Sequence, residues 1–195
     1  MPRILRSKTS RKIASSEASG GKHLRRGGRK MVKFEVSIDI DCPPDIVVQA
    51  LMKAENATYW TTDLEEFEVV KGKPGEVGAI GRLHYVQKGH EYIMEDVLEY
   101  SDPGKRYVSR VSGPATTARV ETNIVPINSG TKLAIVWTGT GKKLILRLLL
   151  PLLQKKITRQ SQKELATFKN LIETRGPDFS RASEQMVDGF SIAGQ

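Results

Sequence analysis

One stretch limits this chain more than any other. From Lys142 to about Glu173 the sequence reads as a single helix of roughly nine turns, and it follows a long region of strand and turn signals. Leu146, Leu150, Leu153, Ile157, Leu165, Phe168 and Ile172 recur at helical spacing, with Ser161 as the one polar interruption. A lone amphipathic helix after antiparallel strands must pack on their sheet. Seven strands at ~4.8 Å spacing span roughly 30 Å, whereas a helix is only about 10–12 Å across. The sheet must curl around the helix, and the remaining gap is filled by side chains or by a ligand. A pocket protein is the leading expectation.

The strands are legible one by one. Phe34, Val36, Ile38 and Ile40 alternate with Lys33, Glu35, Ser37 and Asp39, which is a half-buried strand over Val32–Ile40. Pro43-Pro44-Asp45 then opens a short helix, and a second one ends near Tyr59-Trp60. Further strands are expected at Leu64–Lys71, Val77–Val86, Tyr92–Tyr100, Arg106–Ser112, Ala118–Val125 and Lys132–Thr138, each bounded by Gly, Pro, Asn or Asp. The order is strand, two helices, six strands, helix. It predicts an α+β domain with a seven-stranded antiparallel sheet curled around the long C-terminal helix.

The formal charge of +9 is unevenly placed. Residues 1–30 hold ten Lys or Arg and one acid, 10 − 1 = +9, and the remainder holds 21 of each sign. The folded part therefore has no global basic field, and no specific nucleic-acid binding is expected of it. Residues 1–30 lack aromatics and are expected to be a disordered basic tail. That tail could serve as a tether to nucleic acid or anionic membrane, as a transit segment or as a solvated extension; Met31 could equally be the native start. Residues 31–175 are the expected ligand-binding domain. Residues 176–195 read as a loose tail with one short helix near Ser183–Val187. Cys42 is the lone cysteine, so neither an intramolecular disulfide nor a cysteine metal site can form. No apolar run reaches the roughly 18 residues of a membrane span, and a cytoplasmic location is expected.

Few residues carry obvious chemistry. His84 lies mid-strand and His90 beside a turn, and neither has a metal-ligand spacing, so no metal and no cofactor is expected. Gly139-Thr140-Gly141-Lys142 lacks the earlier glycine and the following Ser or Thr of a phosphate loop, and reads as a helix start. Trp60, Tyr85, Tyr92, Tyr107 and Trp137, with Leu149 and Leu153, are the candidate pocket wall; ordinary core packing is the plain alternative. Glu95 and Arg110 are candidates for an interior charge pair, against the alternative of a solvated strand face. Leu144, Ile145, Leu148, Leu149 and Leu152 give the last helix a second apolar face, ringed by Lys142, Lys143, Arg147, Lys155, Lys156 and Arg159. Burial on both sides is the expectation there; a ligand portal, a homodimer seam and shallow membrane insertion are the alternatives. Pro151 should kink or split that helix.

Taken together, these stretches resemble the helix-grip superfamily of START domains, the birch-pollen allergen (Bet v 1-like proteins) and, most of all, the polyketide cyclase/dehydrase group. The resemblance is carried by residues 40–47 at the strand-to-helix corner and 56–60 in the second helix. Residues 95–106 in a central hairpin, 129–133 in the last hairpin, and Leu150-Pro151-Leu152-Leu153 with Leu165 and Phe168-Lys169 complete it. It spans about residues 32–173 and implies a deep, mostly apolar pocket for lipids or polyketide-like molecules, without implying one reaction. Three functions fit. The first is binding of a hydrophobic small molecule as carrier or sensor. The second is a metal-free cyclase/dehydratase in which His84, Tyr92 or Arg110 holds and polarises a ketide chain. The third is a peripheral lipid-transfer protein that touches anionic membrane weakly through the basic tail and Leu144–Leu153.

Overall fold

The structure is a computed structural model, described over residues 31–180. The basic tail and the short helix expected near 183–187 lie outside the described residues. Strand β1 (Val32–Ile40) leads into helix α1 (Pro44–Met52), a short 3-10 turn (Ala54–Asn56) and helix α2 (Ala57–Trp60). Strands β2 (Leu64–Lys71), β3 (Ile80–Gln87), β4 (His90–Asp102), β5 (Arg106–Ser112), β6 (Thr116–Ile127) and β7 (Gly130–Gly141) follow, and helix α3 (Leu144–Arg175) closes the chain. The seven strands form one antiparallel sheet in the order β1-β7-β6-β5-β4-β3-β2. This is the helix-grip architecture expected from the sequence. Val77 lies in a turn ahead of β3 rather than on the strand, and it is exposed.

Register assigns each side chain to a face. One row across the sheet runs Val32, Gly139, Ala118, Val111, Asp96, Gly81 and Val69. The next row, Phe34, Trp137, Val120, Ser109 and Leu98, points the same way. Val32, Phe34 and Leu98 belong to the buried core with Leu150, Leu165, Phe168 and Ile172 of α3, so both rows face the helix. Two glycines make room on this face. A Cβ on Gly139 would stand 2.4 Å from the Trp137 ring, and one on Gly81 would stand 2.5 Å from Phe67. Each aromatic lies down over a glycine, and Trp137 also stacks on Phe34 with centroids 5.3 Å apart.

Helix α3 packs on β1 and β7. Its placement is fixed by bonds from Gln154 Nε2 to Lys33 O (3.0 Å), Gln162 Nε2 to Ser37 O (3.2 Å) and Lys169 Nζ to Asp39 O (2.6 Å). Glu173 accepts hydrogen bonds from Asp41 N at 2.7 Å and Lys169 Nζ at 2.9 Å, tying the far end of α3 to the β1–α1 corner. The helix runs through Pro151 as one element, so the split expected there does not occur; the proline has no N–H to offer Arg147 O.

Two expectations need correction. The first half of α3 is not buried on both sides: Leu144, Ile145, Leu148, Leu149, Leu152 and Leu153 are all exposed, between 43% and 77%. Only Leu150 of that half is fully inward, because sheet and short helices together cover one side alone. Nor does the domain end at 175. Phe179 has no accessible surface and meets Phe168 and Tyr59 edge-on. Asn56 holds that segment, donating to Ala50 O and Pro177 O and accepting from Phe179 N. Gly176-Pro177 stops the helix but turns the chain back onto the core.

Candidate functional site

Because α3 lies along β1 and β7, it leaves the helix-facing side of β3–β5 incompletely covered. There Leu83, Tyr85, Tyr92, Met94, Asp96, Ser109 and Val111 are half-buried, whereas Val32, Phe34, Val36 and Leu133 under the helix are buried. Tyr85 and Tyr92 face each other across the β3–β4 ladder, and their rings stack with centroids 5.1 Å apart. Leu64, paired with Tyr85, is buried, which confirms the face.

Asp96 is the unusual member. By register it sits between Gly81 and Val111, with Met94 and Leu98 two residues away along the same face. Burial among these apolar neighbours pushes its carboxyl above the ordinary value, against the pull of a hydrogen bond from Ser109. Burial also pushes the Tyr85 hydroxyl well above its ordinary value, helped by the charges of Glu164, Tyr92 and Asp96. Tyr92 moves the same way, through burial and then Asp63. Both phenols therefore stay protonated and can donate.

The end of the site is closed by the loop between α2 and β2. Glu164 of α3 accepts from Thr62 N and from Gln160 Nε2, both at 3.1 Å, which pins this loop to the helix. Asp63 takes a left-handed φ of 62°. Its carbonyl accepts from Val86 N at 2.9 Å, and its carboxylate accepts from Gln87 Nε2 at 2.9 Å. The loop thus rests on the end of the β3–β4 hairpin.

The other sequence candidates fall elsewhere. His84 pairs with Glu66 and Ile93 on the outer face and lies 3.4 Å from Glu68. Arg110 is also outward and exposed, bonded to Glu99 at 2.7 Å. Glu95 shares that outer face with Arg82, so no interior pair forms. An assignment in which His84 and Arg110 hold a ligand inside the sheet is therefore excluded. A half-open depression of about 440 Å³ at this end of β2–β4 draws on both faces, with Glu66, His84 and Ile93 from the outer one and Tyr85 and Tyr92 from the inner one. Trp60 packs edge-on against Phe168 at 5.4 Å, and buried Tyr107 accepts from Gly104 N through its hydroxyl at 3.0 Å, so both have structural tasks. Trp137 borders the site but is held by Phe34. Leu149 and Leu153 are exposed on α3. Among the described residues no group of acids, histidines and cysteine is placed to hold a metal ion. Also among them, no helix is long and apolar enough to cross a membrane.

Asp96 and Ser109 were not singled out by sequence. The signal is faint: Tyr92, Met94, Asp96 and Leu98 form a period-two set in which one acid interrupts apolar residues.

Solved structures with the same fold include an aromatase/cyclase from Streptomyces sp. R1128. It is 14% identical, with a TM-score of 0.59 over 73% of this chain and 95% of that one. A START superfamily protein from Mycobacterium smegmatis is 13% identical, with a TM-score of 0.51 over 68% and 94%. A Thermus thermophilus protein is 20% identical, with a TM-score of 0.56 over 72% and 94%. No curated protein sequence matches the chain. The family described as polyketide cyclase / dehydrase and lipid transport matches residues 31–173, which span the sheet, the short helices and nearly all of α3. The chain belongs to that family.

Proposed function

We propose that this protein binds a hydrophobic small molecule, lipid or polyketide-like, between β3–β5 and α3, as a carrier or sensor. The observation that carries the reading is the incompletely covered helix-facing side of β3–β5. It is apolar, flanked by stacked Tyr85 and Tyr92, and supplied with one poorly solvated carboxyl, Asp96. Such a wall with few convergent polar groups suits an apolar body carrying one polar group. Asp96 and the two phenols would orient that group, most favourably a hydroxyl or a carbonyl.

Native mass spectrometry of freshly purified full chain tests this directly. A co-purified small molecule, lost in Tyr92→Ala and weakened in Asp96→Asn, supports the reading. Retention of the molecule in both variants places the site elsewhere and overturns it.

A second reading, a cyclase or dehydratase, is favoured by one feature. A carboxyl raised by burial can exchange a proton with a bound ketide. With His84 and Arg110 facing outward, Asp96 is the acid–base candidate and Tyr85 the donor to a carbonyl. Turnover of a ketide that survives Asp96→Asn would remove this reading.

A further inference from the structure

The first half of α3 presents a patch that no described element covers. At about 100° per residue, Leu144, Ile145, Leu148, Leu149, Leu152 and Leu153 occupy the outward half of the helix, opposite buried Leu150 and half-buried Leu146 and Ile157. Continued along the axis, the same outward arc carries Lys155, Lys156 and Arg159, all exposed. An apolar tip is thus followed, ~12 Å further along, by a basic collar facing the same way. Lys142 and Lys143 flank the tip at the other end. Between Glu121 and Glu164 the sequence has no acidic residue.

We infer that this half of α3 docks on an anionic lipid bilayer, with the leucines in the headgroup–acyl boundary and the basic collar at the phosphates. An amphipathic segment of this kind buries its apolar face by about 5–10 Å and is held by both area and charge. Two further observations favour an anionic lipid surface over a second copy of this chain. A second copy of this chain packed on the patch would bring Lys155, Lys156 and Arg159 against their own kind, which opposes association. The described part of the chain also begins at this spot, and ten basic residues precede it in sequence. Val32 pairs with Gly139, and Lys33 O receives Gln154 of α3, so the described chain begins beside the patch. Lys143 caps α3 without a side-chain bond, and no acid lies in the first turn, which leaves that end of the helix suited to phosphate oxygens.

The test is co-sedimentation of the full chain with vesicles of phosphatidylcholine alone, and of phosphatidylcholine with phosphatidylserine. Binding is expected to the mixed vesicles and to fall with salt. Leu148→Glu with Leu152→Glu should lower it by roughly tenfold or more, as should charge reversal of Lys155, Lys156 and Arg159. All these positions are exposed, so unchanged circular dichroism and thermal midpoint are expected of the variants. Binding that ignores the leucine pair would assign it to residues 1–30 alone and overturn the inference. Failure to bind, together with a dimer in sedimentation velocity that the leucine pair abolishes, would make the patch a seam between copies and overturn it equally. Failure to bind by a monomer also overturns it. None of these outcomes bears on the ligand site between β3–β5 and α3.

Discussion

Replacing Phe179 by Ala should unfold this domain's closing corner far more than its place beyond the last helix suggests. The side chain has no accessible surface and sits 5.7 Å from Phe168 and 6.4 Å from Tyr59, centroid to centroid. Emptying such a site costs about 3–5 kcal/mol. Asn56→Ala acts on the same segment by another route. It removes hydrogen bonds of 2.9, 2.8 and 3.0 Å to Ala50 O, Pro177 O and Phe179 N, in a site where Asn56 itself is buried. Leaving those backbone groups without partners costs about 2–4 kcal/mol in total. The two losses should not add. Once Phe179→Ala has released residues 177–179, only the bond to Ala50 remains for Asn56 to lose. A double-mutant cycle by urea unfolding should therefore give a coupling of about 1–3 kcal/mol. Each single variant should lower the thermal midpoint by roughly 10 °C in a domain of this size. A coupling within about 0.5 kcal/mol of zero would show that the two residues do not act through one docked segment.

Asp96→Asn should stabilise the protein at neutral pH, because the folded state holds the carboxyl above its ordinary value of 3.8. Ionising it therefore costs the wild type stability as pH rises from that value through the folded one, and below that window the two proteins should converge. Urea unfolding across the acid range checks this; an unchanged or growing gain at low pH contradicts it. Gly139→Ala should destabilise by about 1–3 kcal/mol, because the new methyl meets the Trp137 ring at 2.4 Å and Thr117 O at 2.9 Å. In a Trp60→Phe background its fluorescence should report a displaced indole, and an unmoved spectrum would refute the contact.

Much of the fold could be read directly. The alternation of Val32–Ile40, the boundaries of Leu64–Lys71 and Arg106–Ser112, and the order of elements all follow from local pattern. The faces of the central strands did not. His84 could be placed on either face because both faces of β3 and β4 carry apolar residues, Tyr85 and Leu83 on one, Val86 and Ile93 on the other. The register shift between Leu64 and Glu66 in β2 obscures the parity further, and pattern cannot reveal it. Asp96 went unnoticed for the same reason. Phe179 was missed because a single aromatic after Gly-Pro has no periodicity; only its tertiary partners give it a place. The exposed leucines of α3 are the opposite case, since their pattern was plain and their lack of a covering element was not.

The three bonds from Gln154, Gln162 and Lys169 to β1 carbonyls have a consequence for misassembly. A sheet that ends in a strand offers unpaired main-chain groups to any neighbouring chain. At the β2 end, two register shifts and a row of glutamates blunt that template. At the β1 end the strand is regular, and what occupies its carbonyls is α3. Partial release of this helix therefore does more than open the core. It unveils a regular nine-residue strand edge, so conditions that loosen α3 should favour sheet-to-sheet association before global unfolding.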